Sequence, residues 1–134
     1  MMCCKYGHVQ SLRILLKAKA NLTLRDNEGR SALCHTISRT RRHIACLRML
    51  IQSGVDIDAA DSNGTTTLHR AILAGEFASA AELIDLNANI NLADKNGCTA
   101  LHFACQHGSV RMVQLLLVEG ASGDTQCHVV SLGQ

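Results

Sequence analysis

Residues 96–110 read NGCTALHFACQHGSV, and two incompatible readings compete for them. Cys98, His102, Cys105 and His107 fall within ten residues, as they would in a zinc site or around a Cys-His catalytic pair. Alternatively the stretch is one copy of a periodic unit that gives these four residues unrelated positions. The rest of the chain decides. TALHFAC at 99–105 has counterparts in TTLHRAI at 66–72 and SALCHTI at 31–37. Five residues before each comes an Asp-x-x-Gly turn, DNEG from Asp26, DSNG from Asp61 and DKNG from Asp94, spaced by 35 and 33 residues. A third match closes each unit: LRMLIQSGVDI from Leu47, AELIDLNANI from Ala81 and QLLLVEGAS from Gln114. Self-similarity at a fixed period of this length is the mark of a repeat array.

The residues before Asp26 fit as a unit without its beginning. Aligning Gly7 with Gly108 lays VQSLRILLKAKAN over VRMVQLLLVEGAS without a gap, and eight of the ten glycines then recur at fixed positions. Gly29, Gly64 and Gly97 stand in the turns, Gly7, Gly75 and Gly108 between two helical segments, and Gly54 and Gly120 after the second segment. Each choice has a physical reason. Asp can bond the backbone two residues on, and Gly supplies the positive φ the turn demands. Ser31, Thr66 and Thr99 are suited to cap a first helix. Leu33, Leu68 and Leu101, with Ile37, Ile72 and Cys105 four residues later, line one apolar face of it. The second helix is expected to bury Leu47, Leu50 and Ile51 in one unit, and Val113, Leu116 and Leu117 in another. No unit can bury both faces alone, so neighbours must stack.

This pattern resembles the ankyrin repeat over residues 1–122, nearly the whole chain. The resemblance implies an all-α fold, a solenoid of stacked helix–turn–helix units joined by β-turn or hairpin loops. Its expected parts are a partial repeat at 1–25, full repeats at 26–60, 61–93 and 94–126, and a tail at 127–134. Three departures stand out. Ala32, Thr67 and Ala100 occupy the place where the family usually has proline, and the chain has none. The unit at 26–60 lacks the glycine between helices and carries two extra residues in a basic stretch, SRTRRH at 38–43, expected as a solvated loop. Both ends look unfinished, which predicts a fragment, a truncated product or a slice of a longer array. The lysines and arginines before Asp26 could pass for an import sequence, but the repeat already accounts for them.

Within the repeat, the cluster at 98–107 dissolves. His102 aligns with the signature histidine His69, and Cys105 with the apolar Ile72. Cys98 holds a variable turn position, and His107 sits near the end of the first helix. Zinc would need four ligands converging at about 2.0–2.3 Å, and the expected geometry spreads these residues apart. A nucleophilic thiol would need a base within reach and an orienting third group. Neither that nor a GxxxxGK[ST], HExxH or GxSxG motif is present. No catalytic residue, cofactor or metal is expected.

Composition narrows the function classes further. A net charge of +2 and three aromatic residues offer neither bulk attraction for nucleic acid or an anionic membrane nor a stacking platform for bases. Seven cysteines, an odd number at irregular spacing without a secretory signal, point to free thiols in a reducing compartment, hence cytoplasm, with the nucleus as the alternative.

By resemblance, then, the chain is a non-enzymatic protein–protein interaction module, an adaptor or scaffold, that holds a partner protein on its concave face. The rival class is a Cys/His metal-binding or thiol-redox protein. Carried over position by position, the partner-binding residues are Arg25, Asn27, Glu28, Arg30, Ser62, Asn63, Thr65, Lys95, Asn96 and Cys98 from the turns. The first helices add Arg39, Arg70, Leu73, Phe103, Gln106 and His107. Phe103, Arg70 and Arg30 are the expected anchors, because aromatic and Arg side chains dominate hot spots. A partner with an acidic segment would suit the arginines of 39–42. No nucleic acid, membrane or small-molecule substrate is expected.

Overall fold

The structure is a computed structural model that describes residues 9–18, 25–37 and 41–120. Its order is α1 (Val9–Lys17), a 3-10 turn (Ala32–Thr36), α2 (Arg41–Gln52), α3 (Thr67–Leu73), α4 (Phe77–Asp85), α5 (Ala100–His107) and α6 (Val110–Val118). Among the described residues there is no strand, only an isolated antiparallel bridge between Ala60 and Thr66 where the chain leaves and re-enters a turn. The 3-10 turn, α3 and α5 form an inner row, and α1, α2, α4 and α6 an outer row. Each inner element packs on its own outer helix and on the next inner element. This is an all-α solenoid of stacked repeats. Arg39, Gly7 and the tail at 127–134 lie outside the described residues.

Each turn is built around its aspartate. Asp61 Oδ1 accepts the backbone N–H of Asn63 and Thr65 at 2.9 and 3.0 Å, and Asp94 Oδ1 those of Asn96 and Cys98 at 2.9 Å each. Gly64 closes its turn at φ +77°, and a Cβ there would meet the Lys95 amide nitrogen at 3.0 Å. Glycine is required twice over at this point, by the backbone and by the neighbouring turn. Turns also bond to each other. Ser62 N–H donates to the Glu28 carbonyl at 3.3 Å, and Lys95 N–H to that of Asn63 at 3.1 Å.

The inner helices start on reciprocal caps. Thr66 N–H donates to His69 Nδ1 at 3.2 Å, and His69 N–H returns a bond to Thr66 Oγ1 at 3.3 Å. With Nδ1 accepting, the ring proton sits on Nε2, which donates to the Leu92 carbonyl at 3.0 Å and so ties one unit to the next turn. Thr99 N–H donates likewise to His102 Nδ1 at 2.9 Å. The unit at 26–60 differs from its expectation. Ser31 makes no side-chain cap bond, its hydroxyl is buried without a partner, and the first helix is a single 3-10 turn. The cause is Cys34 in the place of the signature histidine, because a thiol cannot return the cap.

The core runs through the stack as Leu12, Leu33, Leu47, Leu50, Leu68, Ile72, Leu83, Ile84, Met112 and Leu116. Three expectations need correction. Residues 41–43 are not a loop but the first turn of α2. Cys105, expected in an apolar slot, is exposed, and so is Leu117 at 51%. Both last corrections have one reason. A repeat offset relates Cys105 to Ile72 and Leu117 to Ile84, both of which are buried in the interior unit, and no described element follows α6.

Candidate functional site

The expected contact surface divides into residues that lie open and residues that the fold uses for itself. Asn27, Glu28, Ser62, Asn63, Lys95 and Asn96 are exposed at the turn tips, and Leu73, Gln106 and His107 along the inner helices. Thr65 is half-buried. Leu73, 47% exposed, is the large apolar group of this set. The Asx turns and turn-to-turn bonds hold the tips in fixed order. Ser62 adds a hydroxyl bond to the Glu28 carbonyl at 3.0 Å, and Arg25 spans two units by donating from one nitrogen to the Gly29 and Ala60 carbonyls at 2.9 and 2.6 Å.

Two residues placed on this surface by the repeat register are not there. Phe103 is only 8% exposed. It turns its ring onto His69 of the preceding inner helix, with ring centroids 5.0 Å apart, so it belongs to the packing between repeats. Cys98 is 1% exposed and disulfide-bonded. That also corrects the expectation of seven free thiols, although Cys34, Cys46 and Cys105 take part in no disulfide. The odd count masked the possibility of one bond, and nothing in the spacing of the cysteines singled out Cys98.

The two arginine anchors keep partial exposure but spend their charge inside the fold. Arg70 pairs its guanidinium with the carboxylate of Asp61, whose side chain is 1% exposed. Burial pushes that carboxyl up, yet the guanidinium and the Thr65 and Asn63 amides outweigh it and hold the pKa below its ordinary value. Arg30 pairs with Asp26 at 2.7 Å and approaches Glu28 at 3.4 Å. Burial opposes ionisation of Asp26 as well, but bonds from the Arg30 amide and guanidinium and from the Glu28 amide lower it to about 2. A basic residue that follows an Asp-x-x-Gly turn therefore braces the turn first. That signal was present in the sequence as the Asp26–Arg30 spacing.

The outer face carries its own cross-links. Arg48 of α2 forms a two-pronged ion pair with Glu82 of α4, one prong at 3.0 Å. Arg111 of α6 lies 4.1 Å above the Phe77 ring of α4. The shallow groove between Ile44, Ala45, Ala78 and the Arg48–Glu82 pair is the seam of these clasps. Among the described residues, no three His, Cys, Asp or Glu side chains gather as a metal site would require. His69 is buried, which holds its imidazole below the ordinary 6.5 against the opposing pull of the Leu92 carbonyl, Asp94 and Asp61.

Comparison with known proteins agrees with this architecture. The family model for ankyrin repeats (three copies) matches residues 1–61 and 38–127. The chain is 33% identical over 132 residues to human SH3 and multiple ankyrin repeat domains protein 2, covering 92% of this chain and 7% of that protein. It is 33% identical over 66 residues to the E3 ubiquitin-protein ligase KEG of Arabidopsis thaliana, covering 49% of this chain and 4% of the ligase. The chain thus spans a small fraction of the length of these curated relatives. With a family model that matches most of its residues, the chain belongs to the ankyrin-repeat family.

Proposed function

We propose that this chain is a non-enzymatic protein-interaction module, an adaptor or scaffold segment, whose partner docks along the turn tips and inner helices. Ankyrin repeats are in general protein-interaction modules, and the finer reading rests on one observation. The surface formed by Asn27, Ser62, Asn63, Lys95, Asn96, Leu73, Gln106 and His107 combines exposed side chains with a backbone held by turn-to-turn hydrogen bonds. A preorganised surface loses little entropy on binding. Leu73 offers the apolar anchor, and the turn asparagines the polar rim.

The paired arginines shift the partner's expected chemistry. Arg30 and Arg70 are already neutralised by Asp26 and Asp61, so an acidic segment would have to find its cations at Arg25, Lys95 and the basic stretch 39–43. A partner bringing neutral polar groups and one apolar side chain for Leu73 fits the surface better. Cytoplasmic placement, with the nucleus as the alternative, is part of this proposal, and cell fractionation tests it. Recruitment for a ubiquitin ligase is one finer form of the reading, suggested by the name of the Arabidopsis relative.

The test is capture from cell extract with the tagged chain and two variants. Leu73→Glu should abolish recovery of the proteins retained by the parent chain, whereas Asp85→Lys on the outer row should keep them. Equal recovery with both variants would overturn the proposal.

A further inference from the structure

Two of the turns close on Asn-Gly, at Asn63–Gly64 and Asn96–Gly97, whereas every other asparagine of the chain precedes a residue with a side chain. The side-chain carbonyl carbon of an asparagine can be attacked by the amide nitrogen of the residue that follows. A Cβ on that residue hinders the approach, and glycine has none. Both asparagines stand exposed at turn tips, within reach of water and solvent base. The two sites share their local frame. Asp61 Oδ1 holds the Asn63 amide and Asp94 Oδ1 the Asn96 amide, each at 2.9 Å. Gly64 N–H donates to the Asp61 carbonyl and Gly97 N–H to the Asp94 carbonyl, at 3.0 Å each. The glycines take φ of +77° and +80°.

The neighbouring turn separates them. For the glycine nitrogen to reach the asparagine Cγ, the peptide group between the two residues must swing out of the turn. At Asn63 that group is latched from the next unit, because its carbonyl accepts Lys95 N–H at 3.1 Å. The space beside it is filled as well, since a Cβ on Gly64 would come within 3.0 Å of Lys95 N and 3.2 Å of Asp94 Cα. Among the described residues, no amide donates to the Asn96 carbonyl.

We propose that Asn96 is a site of spontaneous deamidation and isomerisation, from which the stacked turn at 94–97 protects its counterpart Asn63. The Gly97 nitrogen gives its proton to solvent base and bonds to Asn96 Cγ. The carboxamide nitrogen leaves as ammonia, and a succinimide ring remains. Water then opens the ring. Breaking the bond between the Gly97 nitrogen and Cγ leaves aspartate at 96. Breaking the bond between that nitrogen and the main-chain carbonyl carbon leaves isoaspartate, with an added methylene in the main chain. Either product sets a carboxylate beside Lys95. Isoaspartate also lengthens the turn between Asp94 and Cys98, whose amide Asp94 Oδ1 holds at 2.9 Å. The additional hydrogen bond that must break at Asn63 slows its conversion about two- to tenfold.

The test incubates the full folded chain in mildly alkaline buffer, with samples reduced, alkylated and cleaved after glutamate. Asn63 then falls in peptide 29–76 and Asn96 in peptide 83–119. Mass spectrometry follows the exchange of amide for acid at each residue, and electron-transfer fragmentation separates isoaspartate from aspartate. Asn96 should convert about two- to tenfold faster than Asn63, with isoaspartate among the products. The same incubation in guanidinium chloride should bring the two rates together. Conversion of Asn63 as fast as Asn96 in the folded chain, or no conversion at Asn96, would overturn the proposal. So would a rate difference that survives unfolding, since it would arise from the flanking residues and not from the stacked turn.

Discussion

The imidazole of His69 and the ring of Phe103 face each other at 5.0 Å between centroids, tilted by 53°, across the boundary between two successive inner helices. His69 is at the same time the cap of α3 and a donor to the Leu92 carbonyl of the next turn. One side chain thus connects a helix start, a turn and a neighbouring repeat. Phe103 closes over it.

Phe103→Ala should be a stability variant. Removing a buried aromatic side chain costs about 3–5 kcal/mol through lost transfer energy and the cavity left behind. Denaturant unfolding should show the midpoint falling by that equivalent. A change under 1 kcal/mol would mean that Phe103 is surface after all.

Arg70→Ala should destabilise too, by about 1–2 kcal/mol, because it leaves the Asp61 carboxylate without its cation. The pair is partly open at Arg70, which limits the loss. In a double-mutant cycle with Asp61→Asn, a coupling of about 1 kcal/mol is expected. Additive effects would show that the pair contributes nothing.

The pH dependence follows from His69. Burial depresses its folded-state pKa below 6.5, so the unfolded chain takes up the proton first. Stability is full above the unfolded value and should fall as pH drops from about 6.5 through the folded value. Protonated Nδ1 could no longer accept the Thr66 amide. Asp26, lowered to about 2, is lost only further down, between its ordinary 3.8 and about 2. Urea midpoints between pH 7 and 5 should decline in the parent chain and decline less in His69→Asn. Parallel slopes would contradict the assignment.

Cys34→His should stabilise the unit at 26–60. It restores the residue that caps α3 and α5, giving the buried Ser31 hydroxyl a partner. A gain of about 0.5–1 kcal/mol, the usual worth of a cap, should appear as a rise of a few degrees in Tm. A lower Tm would show that the Cys34–Thr67 neighbourhood, 3.7 Å between Sγ and Oγ1, has no room for the ring.

Much of this architecture was legible beforehand, and the failures share a physical origin. Asp-x-x-Gly turns and Thr-x-x-His caps are local devices, so their residues announce them wherever they stand. Lateral environment is not local. Register alignment assigns every copy the surroundings of a middle repeat, which misplaced Cys105 and Leu117 at the last unit. It also assigned a face without saying how far a neighbour covers it. A large ring at Phe103 folds onto His69, while the smaller Gln106 and Leu73 on the same row stay open. Arg30 and Arg70 are expected as contact anchors from their residue type, and their pairing is hidden because the acids they meet, Asp26 and Asp61, serve the turns in their own right.

The central claim, a partner seated on the turn tips and inner helices, is tested most directly by site-specific photo-crosslinking. A photoreactive amino acid at Leu73 or Asn63, compared with one at Asp85 on the outer row, should trap a discrete protein from living cells that excess unmodified chain displaces. Trapping of the same protein from Asp85, with none from Leu73 or Asn63, would contradict it.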